Sequence, residues 1–245
     1  MVKSPVLILG AASEVGKALA RQFAAAGHPL HLALREPDRL SPLCAEISAA
    51  HGVTATRHDF DVTRTTGFPG FFADLEPRPR IVISVVGLLG EQAATEGDPE
   101  AVRAIVETNF TGPALALETA ARALAEDGER ATIIGISSVA GDRGRAKNYW
   151  YGAAKAGLTT ALSGLRQKYA RSGLTVITVK PGFIDTPMTA GMELPGFLVA
   201  SPDEVAGRIF HAWRRGTPVI YGWKWWLVMR IIRALPERIF MNTRF

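Results

Sequence analysis

The chain has 245 residues, of which 47% are hydrophobic and 21% charged, with a formal net charge of +5. This length and balance fit one α/β domain or two small ones and exclude a disordered or low-complexity chain. The basic residues are spread along the sequence, so no nucleic-acid partner is expected. A single cysteine, a short apolar start and the lack of a long uncharged stretch exclude an internal disulfide, a signal peptide and a spanning helix. We therefore expect a cytoplasmic protein without a metal site.

Short apolar runs alternate with longer segments of helical periodicity. Uninterrupted apolar runs of this length are typical of strands that are buried on both faces. The runs span residues 5–10, 29–34, 53–60, 80–87, 131–137, 174–180 and 218–222. Six crossovers between seven strands predict an α/β fold, a doubly wound parallel sheet with helices on both faces. Ligands bind such sheets at the carboxyl ends of the strands.

The segment LGAASEVG, residues 9–16, follows the first strand and opens a helix. Gly10 permits a tight turn, and Gly16 permits close packing of the helix on the sheet. The backbone N–H groups at such a helix start can hold a pyrophosphate. A strand–turn–helix connection often needs glycines for structural reasons alone, so this spacing leaves both interpretations open.

The end of the second strand bears on the cofactor. An acidic residue there would bind a ribose 2′-hydroxyl and favour NAD. Here Leu34 is followed by Arg35, whose guanidinium can pair with a 2′-phosphate. The alternative is an arginine that only faces solvent. We predict NADP (NADPH) in preference to NAD.

Two tyrosines, Tyr149 and Tyr151, open a predicted helix over residues 149–171. Tyr151 and Lys155 are four residues apart and share a helix face. A free phenol has a pKa of about 10, and a nearby cation lowers that pKa toward the range of acid–base catalysis. Ser137 and Ser138 close the fifth strand, where a hydroxyl can polarise a carbonyl oxygen or serve ordinary turn chemistry.

These residues carry a resemblance. Ser138 lies thirteen residues before Tyr151, and the chain resembles the short-chain dehydrogenase/reductase family over nearly its full length. The resemblance implies a single Rossmann-type domain, an NAD(P) cofactor and a catalytic set of Ser138, Tyr151, Lys155 and Asn109. It implies that Tyr151 is the catalytic tyrosine and that Tyr149 shapes the substrate wall.

The resemblance also implies where the cofactor lies. Asp61 matches the acid that binds adenine, and the turn at Pro181–Gly182 matches the segment that holds the nicotinamide carboxamide. The predicted cofactor contacts are Gly10, Ser13, Glu14, Val15, Gly16, Arg35, Asp61, Val62, Gly87, Lys155, Pro181, Gly182, Ile184 and Thr186. Two departures from the family pattern stand out: Leu9 and Glu14 alter the glycine motif, and SVVG, residues 84–87, replaces the usual NNAG. Glu14 would repel a pyrophosphate unless it faces solvent or a basic partner.

A narrower resemblance rests on both departures, in residues 9–16 and 84–87, and on two further segments. These are SSVAGDRGRAKNYWYGAAKAGL and the tail MRIIRALPERIF. Together they are similar to the decaprenylphosphoryl-2-keto-pentofuranose reductases, which implies a keto sugar on a polyprenyl phosphate and a role in cell-wall synthesis. Arg143, Arg145 and Lys147 could hold an acidic group of the substrate. They could equally form a solvated basic loop.

The tail over residues 222–240 combines three tryptophans, aliphatic residues and arginines. This composition suits a helix at a membrane interface. A tail packed on its own domain or on a second subunit is the alternative. We expect residues 1–221 to form the catalytic domain and 222–245 an extension of it.

The expected activity is NADP(H)-dependent reduction of a ketone to a secondary alcohol, on a small-molecule or lipid-linked substrate. Reduction of another soluble or fatty carbonyl compound is the alternative, and a non-catalytic cofactor-binding scaffold is a third interpretation. The chain is expected to form a homo-oligomer with peripheral membrane contact through its tail.

Overall fold

The computed structural model describes residues 3–191 and 195–243. A seven-stranded parallel sheet forms its centre, in the order β3-β2-β1-β4-β5-β6-β9. The strands are β1 (Val6–Leu9), β2 (Leu30–Leu34), β3 (Ala55–Asp59), β4 (Ile81–Ser84), β5 (Ala131–Ile136), β6 (Leu174–Lys180), β7 (Phe183–Ile184), β8 (Val199–Ala200) and β9 (Val219–Tyr221). Residues 1–2, 192–194 and 244–245 of the predicted domain and tail lie outside the described residues.

Each of the seven sheet strands lies within one of the predicted apolar runs. Strands β1, β4 and β5 are buried throughout, as their uninterrupted apolar sequences predict. The prediction of a doubly wound parallel sheet is confirmed. The structure adds a small parallel pair, β7 and β8, whose two residues each are too few to produce a periodic pattern.

Helices cover both faces of the sheet. They are α1 (Glu14–Ala25), α2 (Ser41–His51), α3 (Phe68–Ala73), α4 (Gln92–Thr95), α5 (Pro99–Val106), α6 (Gly112–Glu126), α7 (Tyr149–Lys168), α8 (Pro202–Arg215), α9 (Trp223–Ala234) and α10 (Glu237–Phe240). The apolar faces of α1, α2 and α8 form one core with the sheet. Those of α3, α6 and α7 form a second core on the opposite face. No helix of the described residues is long and apolar enough to cross a bilayer.

Helix α9, in the C-terminal tail, packs one face on the rest of the chain. Trp225, Met229 and Ile232 are buried and recur at helical spacing. They contact Val139 after β5 and Phe183 in β7. Both of these residues belong to the carboxyl edge of the sheet, so the tail stabilises the side of the molecule on which ligands of this fold bind.

Candidate active site

A cavity of about 450 Å³ opens at the carboxyl edge of the sheet. It runs from the start of α1, past the ends of β4 and β5, to the loop after β6. Strands β1 and β4 are neighbours, although β2 and β3 lie on the other side of β1, so the strand order reverses here. This reversal is the point where doubly wound folds bind ligands. The predicted residues that line it are Ser13, Glu14, Val15, Gly87, Ser138, Arg145, Tyr151, Lys155, Pro181, Gly182, Ile184 and Thr186.

The start of α1 fits a dinucleotide pyrophosphate. Gly10 has a φ of +85°, which favours glycine, and a Cβ there would lie 3.1 Å from Val86. A Cβ on Gly16 would lie 2.9 Å from the backbone of Ala11. Ser13 caps α1 by accepting a hydrogen bond from the Gly16 amide, at 3.1 Å. The open helix start therefore offers backbone donors to an anion.

Glu14 at this helix start has a basic partner. Its carboxylate accepts a 2.9 Å hydrogen bond from Lys17, one turn further along α1. Both side chains line the cavity. The ion pair reduces the repulsion between Glu14 and a bound phosphate, and it meets the condition that the sequence set for an acidic residue in this motif.

The ends of β2 and β3 bring Arg35 and Asp61 together. Arg35 is exposed and lies close enough to interact with the Asp61 carboxylate. Burial opposes ionisation of Asp61, but hydrogen bonds from Thr63 and the charges of Arg35 and Arg64 hold its pKa below the ordinary value. These residues lie outside the cavity lining.

Ser138 and Tyr151 meet at the end of β5. Ser138 is buried and caps a short 3₁₀ turn by accepting a hydrogen bond from the Ala140 amide. Tyr151 lies in the first turn of α7 and hydrogen-bonds to Ser138. Burial raises the pKa of Tyr151 to about 12, although the Ser138 hydrogen bond and the Arg145 charge act in the opposite direction. Ser137 instead donates to the Lys155 carbonyl, at 2.8 Å, and holds α7 against the sheet.

Lys155 follows Tyr151 by one turn, on the same face of α7. Its side chain is buried, and Nζ donates to the carbonyl oxygens of Ile136, at 3.1 Å, and Val86, at 3.4 Å. Nζ lies 5.7 Å from the centre of the Tyr151 ring. Burial lowers the pKa of Lys155 to about 8. The two side chains share one helix face, as predicted. The expectation that a nearby cation lowers the Tyr151 pKa is wrong, because burial raises it, and the charge that opposes this rise is that of Arg145.

Asn109 supports the site from behind. It is fully buried in a π-helical segment, Glu107–Thr111, between α5 and α6. Its Nδ2 donates to the carbonyl oxygen of Leu88, at 2.6 Å, and its Oδ1 accepts from the Leu88 amide, at 3.0 Å. A Cβ on Gly87 would lie 3.3 Å from Asn109 and 3.5 Å from Lys155 Nζ. Gly87 therefore fills the narrow space between Asn109 and Lys155.

The loop after β6 is enclosed by the tail. A Cβ on Gly182 would lie 1.8 Å from Nε1 of Trp225, so only glycine fits beneath the indole. Trp225 Nε1 donates to the carbonyl oxygen of Leu198, at 3.0 Å. A buried ion pair between Lys180 and Asp142 joins the end of β6 to the turn that follows Ser138. The tail thus fixes one wall of the cavity, which the sequence did not predict.

The four residues predicted to contact substrate have different placements. Arg145 lines the cavity beside Tyr151. Arg143 does not: its guanidinium donates to the carbonyl oxygens of Ile232 and Leu235, pairs with Glu237 and stacks on Phe240. Tyr149 is exposed and lies outside the lining. We therefore correct the assignment of Arg143, which holds the tail. The structure does not bring Tyr149 or Lys147, both exposed, to the cavity.

Several lining residues were missed in the sequence. Asn148 lines the cavity where Tyr149 was expected, and Arg39 lines it beyond Arg35. Arg39 lies in the short 3₁₀ turn Pro37–Leu40 that follows β2, and a second arginine so soon after this strand end could have identified it as a candidate. Phe183 and Met188 give the mouth an apolar wall. The other predicted site residues are not in the lining: Gly10, Gly16, Arg35, Asp61, Val62 and Asn109.

Comparisons with known proteins agree with this arrangement. Residues 4–194 match the family model described as short chain dehydrogenase. An uncharacterized oxidoreductase of Mycobacterium tuberculosis is 34% identical over 235 residues, covering 95% of this chain and 92% of the relative. A sulfoacetaldehyde reductase of Chromohalobacter salexigens is 32% identical over 190 residues, covering 75% and 74%.

Among solved structures, a short-chain dehydrogenase from Burkholderia cenocepacia in complex with NADP superposes with a TM-score of 0.82 at 22% identity. The match covers 98% of this chain and 96% of that one. This similarity shows the fold. With the extent of the family match and the cavity at the strand switch point, it identifies the protein as a member of the short-chain dehydrogenase family and an NAD(P)-dependent oxidoreductase.

Proposed function

We propose that the protein reduces a carbonyl compound to an alcohol with NADPH. The observation that carries this proposal is that Ser138, Tyr151 and Lys155 meet in one cavity. The start of α1 lines the same cavity. A bound nicotinamide supplies or accepts a hydride. Such a reaction needs backbone segments that can bind the cofactor and side chains that can donate a proton, and both must lie in one cavity.

Ser138 and Tyr151 have different roles at the carbonyl oxygen. Ser138 donates a hydrogen bond that polarises it, and Tyr151 gives it a proton as negative charge develops. A tyrosine whose pKa is near 12 is protonated at neutral pH, which suits a proton donor in the direction of reduction. Lys155 would hold the cofactor ribose. Asn109 fixes the backbone of Leu88, two residues after Val86, whose carbonyl oxygen accepts from Lys155.

Preference for NADP rests on Arg35. No acidic residue directly follows β2, and an arginine there can pair with the 2′-phosphate. Arg39 in the cavity lining provides a second cation at the same end. The Burkholderia structure in complex with NADP, which shares this fold, is consistent with the preference.

We further propose that the substrate carries an anionic group. Arg145 lies in the lining next to Tyr151, where a charged substituent near the reacting carbonyl would meet it. The sulfoacetaldehyde reductase relative acts, by its name, on an aldehyde with a sulfonate. A keto sugar on a polyprenyl phosphate is the second candidate, because its phosphodiester carries the same charge and the tail offers an exposed apolar face for its lipid. Another soluble or fatty carbonyl compound remains the alternative.

NADPH oxidation with matched ketones tests both the reductase activity and the preference for an anionic substrate. Acetoacetate and its methyl ester differ in one negative charge. We expect turnover of carbonyl compounds, with kcat/KM roughly 10–100-fold higher for the anion, the scale of a charge-assisted hydrogen bond. Arg145→Met should abolish this preference, and Lys147→Met, in the same loop but outside the lining, should keep it. No NADPH oxidation with any ketone or aldehyde would contradict the reductase. Turnover without a charge preference would contradict only the anionic substrate.

A further inference from the structure

The outward face of helix α9 has no partner within the described chain. Trp226, Leu227 and Ile231 are 50%, 56% and 57% exposed. Leu227 and Ile231 are four residues apart, so they form one stripe, on the side opposite the buried Trp225 and Met229. Phe197, which is 67% exposed, extends this surface at the start of the helix, because the Lys224 amine donates to its carbonyl oxygen and lies over its ring.

Basic side chains flank the apolar stripe on both sides. Arg230 and Arg233 are exposed along one edge, and the Arg230 guanidinium lies 5.3 Å from the Trp226 ring. Lys224 lies on the other edge. Residues 223–236 contain three basic residues and no acidic residue. No salt bridge involves Arg230 or Arg233 within residues 3–191 and 195–243.

A groove of about 490 Å³ follows the arginine edge of this face. It is lined by Tyr221, Trp226, Met229, Arg230, Arg233 and Ala234. Aromatic rings and guanidinium groups at one edge of an aliphatic stripe match the layers of a membrane surface. The apolar stripe suits the acyl chains, and the cations suit the phosphates above them.

We propose that the outward face of α9, from Phe197 to Ile231, seats the protein on an anionic membrane surface. The charge pattern favours this occupant over a second copy of the chain. Two such faces in contact would bring like charges together without an acidic residue from this segment to offset them. The inference does not depend on the substrate, so it can fail while the proposed function stands.

The outward face of α9 lies close to the active-site cavity, because the inward side of the same helix packs against a wall of the cavity. The inward side of α9 carries Trp225, which covers Gly182, and Met229, which packs in the cluster with Val139 and Phe183. The width of one helix therefore separates the membrane-facing residues from a wall of the active-site cavity. A protein seated in this way would hold that wall close to the lipid surface, where a lipid-linked or amphiphilic carbonyl compound is found.

Co-sedimentation of the full chain with vesicles tests the proposal. The vesicles contain phosphatidylcholine with or without phosphatidylglycerol. We expect binding only to the anionic vesicles, weakening as salt rises from about 0.01 to about 1 M and the screening length falls from about 30 to about 3 Å. Leu227→Gln/Ile231→Gln should weaken binding at least ~10-fold, because two half-exposed apolar side chains lose their burial in lipid. Arg230→Gln/Arg233→Gln should weaken it roughly 5-fold per arginine.

Leu115→Gln is the matched control, since Leu115 is an exposed leucine on α6, away from α9. It should bind vesicles like the unmodified chain. NADPH affinity and thermal unfolding must stay unchanged in all variants, which shows that the altered side chains do not support the fold. Absence of binding to anionic vesicles at low salt would overturn the proposal. Equal binding by the Leu227/Ile231 variant would also overturn it. Salt-resistant self-association that this variant alone abolishes, without vesicle binding, would identify a second copy as the occupant instead.

Discussion

Burial shifts the pKa values of Tyr151 and Lys155 in opposite directions. Burial raises the pKa of the tyrosine to about 12 and lowers that of the lysine to about 8, because both environments favour the neutral form. The neutral phenol is ready to give a proton at neutral pH. The positive charge of Arg145 acts against this effect of burial on the Tyr151 pKa. We infer that the loop between β5 and α7 contributes to the proton chemistry as well as to substrate selection.

Arg35 carries the prediction about the cofactor. Arg35→Ala removes the cation that would pair with the 2′-phosphate, and the side chain is exposed, so the fold should be unaffected. We expect the dissociation constant for NADPH to rise roughly 10–100-fold, the scale of a hydrogen bond to a charged group, with little change for NADH. Fluorescence titration of both cofactors measures this. Equal weakening of the two would show that Arg35 does not read the phosphate.

At the scale of elements, strands β2 and β3 carry a histidine pair away from the active site. His31 Nε2 donates to the carbonyl oxygen of Pro77, at 2.8 Å, so its Nδ1 is an acceptor. That nitrogen lies 3.0 Å from Thr56 Oγ1 and 3.0 Å from His58 Nε2. Burial lowers the pKa of both histidines, and the charge of His31 lowers that of His58 further, while Glu76 acts in the opposite sense on His31. The folded chain therefore resists protonation at this pair.

This pair predicts acid sensitivity. Since the folded pKa values lie below the ordinary 6.5, the unfolded chain binds more protons, and stability is present above 6.5 and is lost as pH falls below it. Urea unfolding at pH 7.5 and 5.5 measures the loss. His58→Gln should reduce the loss, whereas His51→Gln, at the exposed end of α2, should show the same loss as the unmodified chain. An identical pH dependence in all three proteins would contradict the role of the pair.

At the scale of the whole molecule, short-range patterns predicted most of the architecture. The seven strands follow from apolar runs that are buried on both faces, and the union of Ser138, Tyr151 and Lys155 follows from helical spacing and the strand end. What the sequence did not reveal depends on long-range contacts. Arg143 binds carbonyl groups that lie 89 and 92 residues further along, and no local pattern encodes that pairing.

The tail shows the same limit. Its composition is compatible with both a membrane surface and a protein surface. In the structure, one side of α9 packs on the protein and the other side faces outward. Trp225 is buried over Gly182, and Trp226, the next residue, is half exposed. Only the orientation of the helix on the sheet edge decides which side faces inward. That orientation is set by contacts with Val139 and Phe183, which are distant in sequence.

The most direct test of the proposed chemistry compares two tyrosines that differ by two positions. Tyr151→Phe keeps the ring and removes the hydroxyl that would protonate the carbonyl oxygen. Tyr149→Phe makes the same change at an exposed site outside the cavity. With NADPH and a ketone that the unmodified chain reduces, we predict that Tyr151→Phe lowers kcat at least ~10²-fold while NADPH affinity is kept, and that Tyr149→Phe retains most activity. Equal losses in the two variants, or full activity of Tyr151→Phe, would contradict the assignment of Tyr151 as the proton donor.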